Sequence, residues 1–286
     1  MFKYIEQKKK HLNPRNKFIL SAFFVSSWIM NIFRLIQKSI LLLLGSLLSM
    51  ALFAQEQVYN FSFDTWSKSK GAWDLFPENA SEKQKVWGTV NHGTSFLGIN
   101  TTVPEYEHVA VKGKGKAAAK VSSRSIMGTF ATGNLYTGKF VKIIGMSGAE
   151  MYHGTPFKGR PKSLSGYVHY QPGKIDAAKA PYKDQKGKLD KGQIEIALYS
   201  WKQARHFLST DGPSTPAQKD PDIVAYGSLV LDKDTGGYIP FTIDLKYVND
   251  KEPGYLFIAV LASRLGEFFT GSSKSVIYVD EFQFNY

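Results

Sequence analysis

From Gln55 onward, apolar residues recur at every second position, and this alternation constrains the chain more than any other feature. Tyr59, Phe61 and Phe63 alternate with polar neighbours. So do Ile194, Ile196 and Leu198 against Gln193 and Glu195, and Ile239, Phe241, Ile243 and Leu245 against Thr242 and Asp244. A period of two puts one apolar face on an extended strand. Further strands are expected at 108–111, 116–121, 139–144, 163–170, 223–231, 255–262 and 275–284. Residues 255–262 are apolar without a break, which predicts a strand covered on both faces. No stretch of helical length has a 3.6-residue period; 201–207 offers a turn or so. About ten antiparallel strands with Gly-, Pro- and Asn-rich connections predict an all-β fold, a jelly-roll β-sandwich.

The chain has 286 residues and no cysteine. That excludes disulfide scaffolds, thiol chemistry, Cys-ligated metals and a lipid-anchor cysteine. The formal charge is +12, but +7 of it lies before Gln55, leaving only +5 for 55–286. Mild basicity gives no reason to expect a nucleic-acid partner.

Residues 30–54 read as a secretory signal peptide. Arg34 and Lys38 form a short basic region, 40–53 an apolar one, and Ala54 a small residue ahead of Gln55. The apolar run is shorter than the roughly 20 residues a spanning helix needs. A second apolar run at 18–29 follows a basic segment. Residues 1–29 are therefore read as an over-extended N-terminus, the alternative being an uncleaved anchor built from both runs. Export to the periplasm, cell surface or medium is expected.

Short catalytic motifs are missing. Gly113-Lys-Gly115-Lys-Ala-Ala118 imitates a dinucleotide fingerprint but runs into a strand pattern, not a helix. Asp232-Lys-Asp234-Thr-Gly236-Gly237 starts like a calcium loop, yet its twelfth position is Ile243. It reads better as a hairpin turn between 223–231 and 238–245. There is no nucleophile elbow, zinc-protease pair or phosphate-binding loop. Carboxylates such as Glu150, Glu195, Asp244, Glu267 and Glu281 would serve glycoside hydrolysis only if two faced each other across a cleft. On alternating strands they read as solvent-facing. Of the two long polar loops, 172–192 carries six lysines and reads as a solvated insertion.

Two constellations stand out. Asp280 shares parity with Val276, Tyr278, Phe282 and Phe284, and a carboxylate on an apolar face needs a partner. Asp64 closes the first expected strand. First and last strands of a jelly roll commonly lie side by side, so Asp64 and Asp280 could meet, with structural calcium one way of satisfying both. The alternative is that Asp280 bonds backbone amides. The second constellation is aromatic: Trp66, Trp73, Trp87 and Trp201 fall in turns or at strand ends, with Tyr136 and Tyr152 in 131–139 and 148–156, and they suit stacking on sugar rings, the alternative for each tryptophan being a place in the core. His153 and Arg160 join them as hydroxyl or carboxylate partners, although Arg160 also suits a structural bridge.

Longer segments resemble a known family. They include Trp87-Gly-Thr-Val-Asn91, 113–124, Ala131-Thr-Gly-Asn-Leu-Tyr-Thr-Gly-Lys139, Gly148-Ala-Glu-Met-Tyr-His-Gly-Thr-Pro-Phe157 and Gly159-Arg-Pro-Lys-Ser-Leu-Ser-Gly-Tyr167. Gly192-Gln-Ile-Glu-Ile-Ala-Leu198, 223–247 and 269–282 continue the series. In this order they resemble the putative carbohydrate metabolism domain family over essentially all of 57–286. The resemblance implies an exported jelly-roll sandwich similar to carbohydrate-binding modules and sometimes labelled a glycoside hydrolase. The ends, Phe61-Ser-Phe-Asp-Thr-Trp66 and Tyr278-Val-Asp-Glu-Phe282, also resemble terminal strands of calcium-containing carbohydrate-binding modules. Members often carry a lipid-anchor cysteine or an additional N-terminal domain; this sequence has no cysteine, and neither feature is expected here. No catalytic residues transfer. The expected function is non-catalytic binding of a polysaccharide or oligosaccharide. The alternatives are a glycoside hydrolase on the same fold, or a structural or adhesion protein of the cell envelope.

Overall fold

In the computed structural model, described for residues 30, 33–40, 57–145, 148–212 and 217–286, the β-sandwich occupies the unit that runs from Glu56 to Tyr286. Residues 33–40 are helical, and no helix among the described residues is long and apolar enough to cross a membrane. Most of the leader, including its apolar region and residues 1–29, lies outside the described residues.

The larger sheet runs in the order β13 (Arg205–Leu208), β9 (Gly148–His153), β8 (Asn134–Ile144), β17 (Tyr255–Leu261), β12 (Gly192–Tyr199), β14 (Ile223–Leu231) and β16 (Lys246–Tyr247). Two short strands, β3 (Trp87–Gly88) and β10 (Thr155–Pro156), pair with β8 and β17. The smaller sheet is ordered β15 (Ile239–Asp244), β11 (Ser163–Gln171), β18 (Val276–Asn285), β5 (Ala118–Ser122) and β4 (Thr102–Glu105). Hairpins β1 (Ser67–Ser69) with β2 (Ala72–Asp74), and β6 (Arg124–Ile126) with β7 (Thr129–Ala131), stand apart. Every named pairing is antiparallel, and the chain passes repeatedly between the sheets, as in a jelly roll.

The alternating positions do what their period dictates. Ile194, Ile196 and Leu198 of β12 meet Leu164, Val168, Ile277, Val279 and Phe284 of the smaller sheet in one continuous core. Fully buried aromatic and aliphatic side chains fill it, so that each loses water and gains contacts on both sheets.

Three local expectations differ from the structure. Residues 59–62 form turns, and no strand runs over 59–63, with Asn60 and Phe63 at positive φ; Phe61 and Phe63 still plug the core, and Phe282 N–H donates to Phe61 O. The segment 108–111 is irregular, and its neighbour β4 pairs instead with β5. The turn at 232–237 has its glycines at positive φ, but it hands the chain from the larger sheet to the smaller one and so closes no hairpin within one sheet.

Candidate functional site

Over β8, β9, β12 and β17 the outward face of the larger sheet is roofed by other segments. Register places Glu195 of β12 beside Ala259 of β17, and Ala259 beside Tyr136 of β8. Two strand spacings thus separate Glu195 from Tyr136, roughly 9.5 Å between backbones. The alanine between them leaves the floor low. Walls rise from the helical turns over 91–97, from the β6–β7 hairpin, from the far end of the β8–β9 hairpin and from the turn Gly266–Phe268. Gly93 lets the first of these lie close: a Cβ there would press within 2.4 Å of Ile143. Together they enclose a cavity of about 380 Å³, within the size range of small-ligand sites.

Most of the lining is apolar, and its few polar groups are unusual. Tyr136 Oη and Asn134 Oδ1 are buried with no hydrogen-bond partner. Buried polar atoms left without a partner are uncommon and costly. Burial pushes the Tyr136 hydroxyl pKa up, so it stays a donor. Glu195 sits in the cavity with Gln193 Nε2 donating to its Oε2 at 3.2 Å. Its carboxyl is pushed up to about 7, first by burial and then by the nearby charge of Glu267, against a smaller opposing effect of Arg264. His153 is packed between Phe207 and Phe257, with ring centroids 4.8 and 4.7 Å away, and Tyr136 meets it edge-on. Burial, helped by Arg205, holds its imidazole down at about 4, so it is neutral at pH 7. The cavity therefore offers donors, acceptors and aromatic surfaces to a ligand that need carry no charge.

Of the residues singled out in the sequence, Tyr136 and His153 come together here. Trp87 does not: it is 3% exposed and packs on Phe61 and Phe63 in the core. Trp66 and Trp73 form a separate edge-to-face pair at the first hairpin, with Lys68 over Trp73. Tyr152 faces away and packs on His206. Trp201 is stacked between Tyr199 and the guanidinium of Arg205, which Asp220 and Asp222 hold. Phe257 packs against both this stack and the cavity cluster. Arg160 lies over Tyr247 and donates to Lys251 O, the bridging alternative with a carbonyl in place of a carboxylate.

Asp280 is buried, but not on the core face. The register of β11 against β18 shifts between Ser165 and Tyr167, and Glu281 has φ 51. This bulge inserts a residue, so Phe282 and Phe284 point inward while Asp280 keeps the outward parity of Tyr278. Loop 106–117 covers it instead: Ala110 N–H donates to Asp280 Oδ2 at 2.8 Å, and Oδ1 has no partner. Burial first, and the charges of Glu281 and Asp64 further, push its carboxyl up to about 6. Asp64 does lie nearby, accepting from the N–H groups of Lys116 and Ala117, while Glu281 pairs with Lys114. The all-oxygen donor set and the partnerless Oδ1 fit a hard cation in kind. Among the described residues, however, no three acidic or histidine side chains are placed to hold a metal ion.

Sequence reasoning missed Asn134, Phe207 and Phe257, and took Glu195 and Glu267 for solvent-facing acids. The segments that roof Glu195 are remote in sequence and carry no local signal.

A family model described as "Putative carbohydrate metabolism domain" matches residues 62–285. Among solved structures, one described as a putative glycoside hydrolase from Bacteroides thetaiotaomicron has a TM-score of 0.60 at 21% identity, covering 82% of this chain and 72% of that one. Another so described, from Bacteroides vulgatus, has a TM-score of 0.57 at 18% identity, over 79% of this chain and 96% of that one. A carbohydrate-binding module specific for non-crystalline cellulose aligns at 8% identity and a TM-score of 0.35, over 78% and 96%. At these identities the first two show a shared fold. No curated protein matches.

Proposed function

The chain belongs to the putative carbohydrate metabolism domain family, and from that premise we propose that it is an exported glycan-binding protein whose ligand occupies the cavity on the outer face of the larger sheet. One observation carries the proposal: Tyr136 and Asn134, two residues lining a cavity that also presents aromatic faces, hold buried polar atoms, Oη and Oδ1, without partners. Sugar hydroxyls would satisfy such atoms, and the apolar C–H faces of the ring suit Phe207, Phe257 and Ala259. Binding without turnover is the leading reading. Export rests on the leader pattern at 30–54. Structural calcium near Asp64 and Asp280 remains part of the proposal, supported by the free Asp280 Oδ1.

A second reading, glycoside hydrolysis in the same cavity, is favoured by the mutual influence of Glu195 and Glu267, both of which line it. A carboxyl still about half protonated near pH 7 is suited to protonating a leaving group.

The test is a glycan array with purified protein, with calcium and with chelator, alongside Tyr136→Phe. A defined hit weakened at least tenfold by the substitution is expected, with no reducing ends released from the bound glycan. Release of reducing ends, abolished by Glu195→Gln, would select the hydrolase reading. A blank array from folded protein would remove glycan binding altogether. A hit and a melting temperature indifferent to chelation would remove the calcium.

A further inference from the structure

Four exposed apolar side chains line the mouth of the cavity: Phe96 (79% exposed), Leu97 (41%), Met127 (82%) and Ile143 (38%). Phe96 and Met127 are the two most exposed large apolar side chains among the described residues. Scattered apolar side chains on a surface need no explanation, but a group gathered around one cavity mouth marks a place where something apolar settles.

The backbone under Met127 strengthens the point. Met127 and Gly128 form the two-residue turn between β6 and β7, with φ values of 50 and 77. Both central residues of such a turn occupy the left-handed region, where Asn, Asp or Gly is the ordinary choice at the first position. A methionine there is strained. The strain serves no packing within the protein, because the side chain is largely exposed. It instead holds a flexible, polarizable apolar chain at the cavity mouth, a residue type that adapts to partners of varied shape. Phe96 is similarly presented, on a short helical turn that ends at Gly98 with φ 73.

A bare oligosaccharide is poorly matched to this rim. A ring can stack a C–H face on Phe96, but Leu97, Met127 and Ile143 offer outer hydroxyls no partner for the water they would lose. Tyr136, Asn134 and Glu195 set a few polar groups deep in the cavity, whereas the four exposed side chains at the mouth are apolar, which suits a ligand with the same division.

We propose that the cavity takes a sugar carrying an apolar substituent, with the sugar against Tyr136, Asn134 and Glu195 and an alkyl, acyl or aryl group leaving across Phe96 and Met127. The sugar half of this inference rests on the glycan-binding reading above; the substituent half rests on the rim alone.

The test is isothermal titration calorimetry of the purified protein with methyl and octyl β-glucosides, β-galactosides and α-mannosides, and with octan-1-ol, all below micellar concentrations. At least one octyl glycoside should bind ten times more tightly than its methyl counterpart and than octanol. The double variant Phe96→Ser, Met127→Ser changes only exposed side chains. It should reduce that preference below threefold and leave the methyl glycoside unchanged. Equal binding of methyl and octyl glycosides would overturn the substituent and leave glycan binding standing, as would an octyl preference that survives the double substitution. Octanol binding as tightly as every octyl glycoside, or no binding by any probe, would overturn both.

Discussion

The two faces of the larger sheet are built from the same strands and obey opposite rules. On β12, Ile194, Ile196 and Leu198 point inward, at most 1% exposed, into a core of apolar groups. One residue along, Glu195 points outward beneath a roof of loops and keeps an altered pKa. On β8, Leu135 is core, whereas Asn134 and Tyr136 on either side hold partnerless polar atoms. The inner face is filled and complementary to its partner sheet. The outer face retains space, unmet hydrogen-bonding capacity and exposed apolar side chains. Stability should therefore depend on the inner face and recognition on the outer one.

Leu198→Ala should have the largest effect on the fold. It removes a fully buried side chain between the sheets, and a loss of about 2–5 kcal/mol in denaturant unfolding is expected, with ligand affinity retained in the folded fraction. A loss much below that range would mean the inner face packs loosely and would blunt the contrast.

Glu195→Gln should act in the opposite direction, and only in part of the pH range. The folded pKa of about 7 lies above the ordinary 4.5, so the native state holds the proton more tightly than the unfolded chain. The contribution of Glu195 is fully present below about pH 4.5 and is lost as pH rises through 7. Replacing it should stabilise the protein at pH 8 by on the order of 1–3 kcal/mol and do little at pH 4. A thermal-melt series over that range checks the sign. Destabilisation at pH 8 would mean that the ionised carboxylate is held by more than the Gln193 amide.

Tyr136→Phe should change stability least, by less than about 0.5 kcal/mol, because the hydroxyl it removes has no partner to lose. Its expected signature is a drop in ligand affinity with an unchanged melting temperature. A large fall in stability would place the hydroxyl in the scaffold and dissolve the distinction between the faces.

The strands were legible because alternation is a local property. The spans β11, β12, β14, β15, β17 and β18 follow their apolar pattern to within a residue or two. Asp280 shows where that logic fails. A bulge shifts parity by one, and nothing in Tyr278-Val-Asp-Glu-Phe282 announces it, since the inserted residue is defined by the register of the partner strand. Glu195 shows a second failure. Alternation correctly puts it on the outer face, but whether that face meets water or a roof depends on segments up to about a hundred residues away in the chain. The conflict at Met127, a methionine where such a turn ordinarily takes asparagine, shows only once the two-residue turn is known.

The lysine-rich loop 172–192 has a role its composition conceals. Near its end, Asp190 is buried and accepts hydrogen bonds from Ser263, Ser272, Ser275 and Lys191, and Ser263 lines the cavity. Burial pushes the Asp190 pKa up, against the lowering effect of those same bonds. Earlier in the loop, Tyr182 packs on Phe268, beside Glu267 in the cavity wall. Between these anchors, residues 183–189 are largely exposed. The loop thus behaves as a buttress with a slack middle. A change at Tyr182 or Asp190, neither of which would meet the ligand, would reshape the cavity from behind.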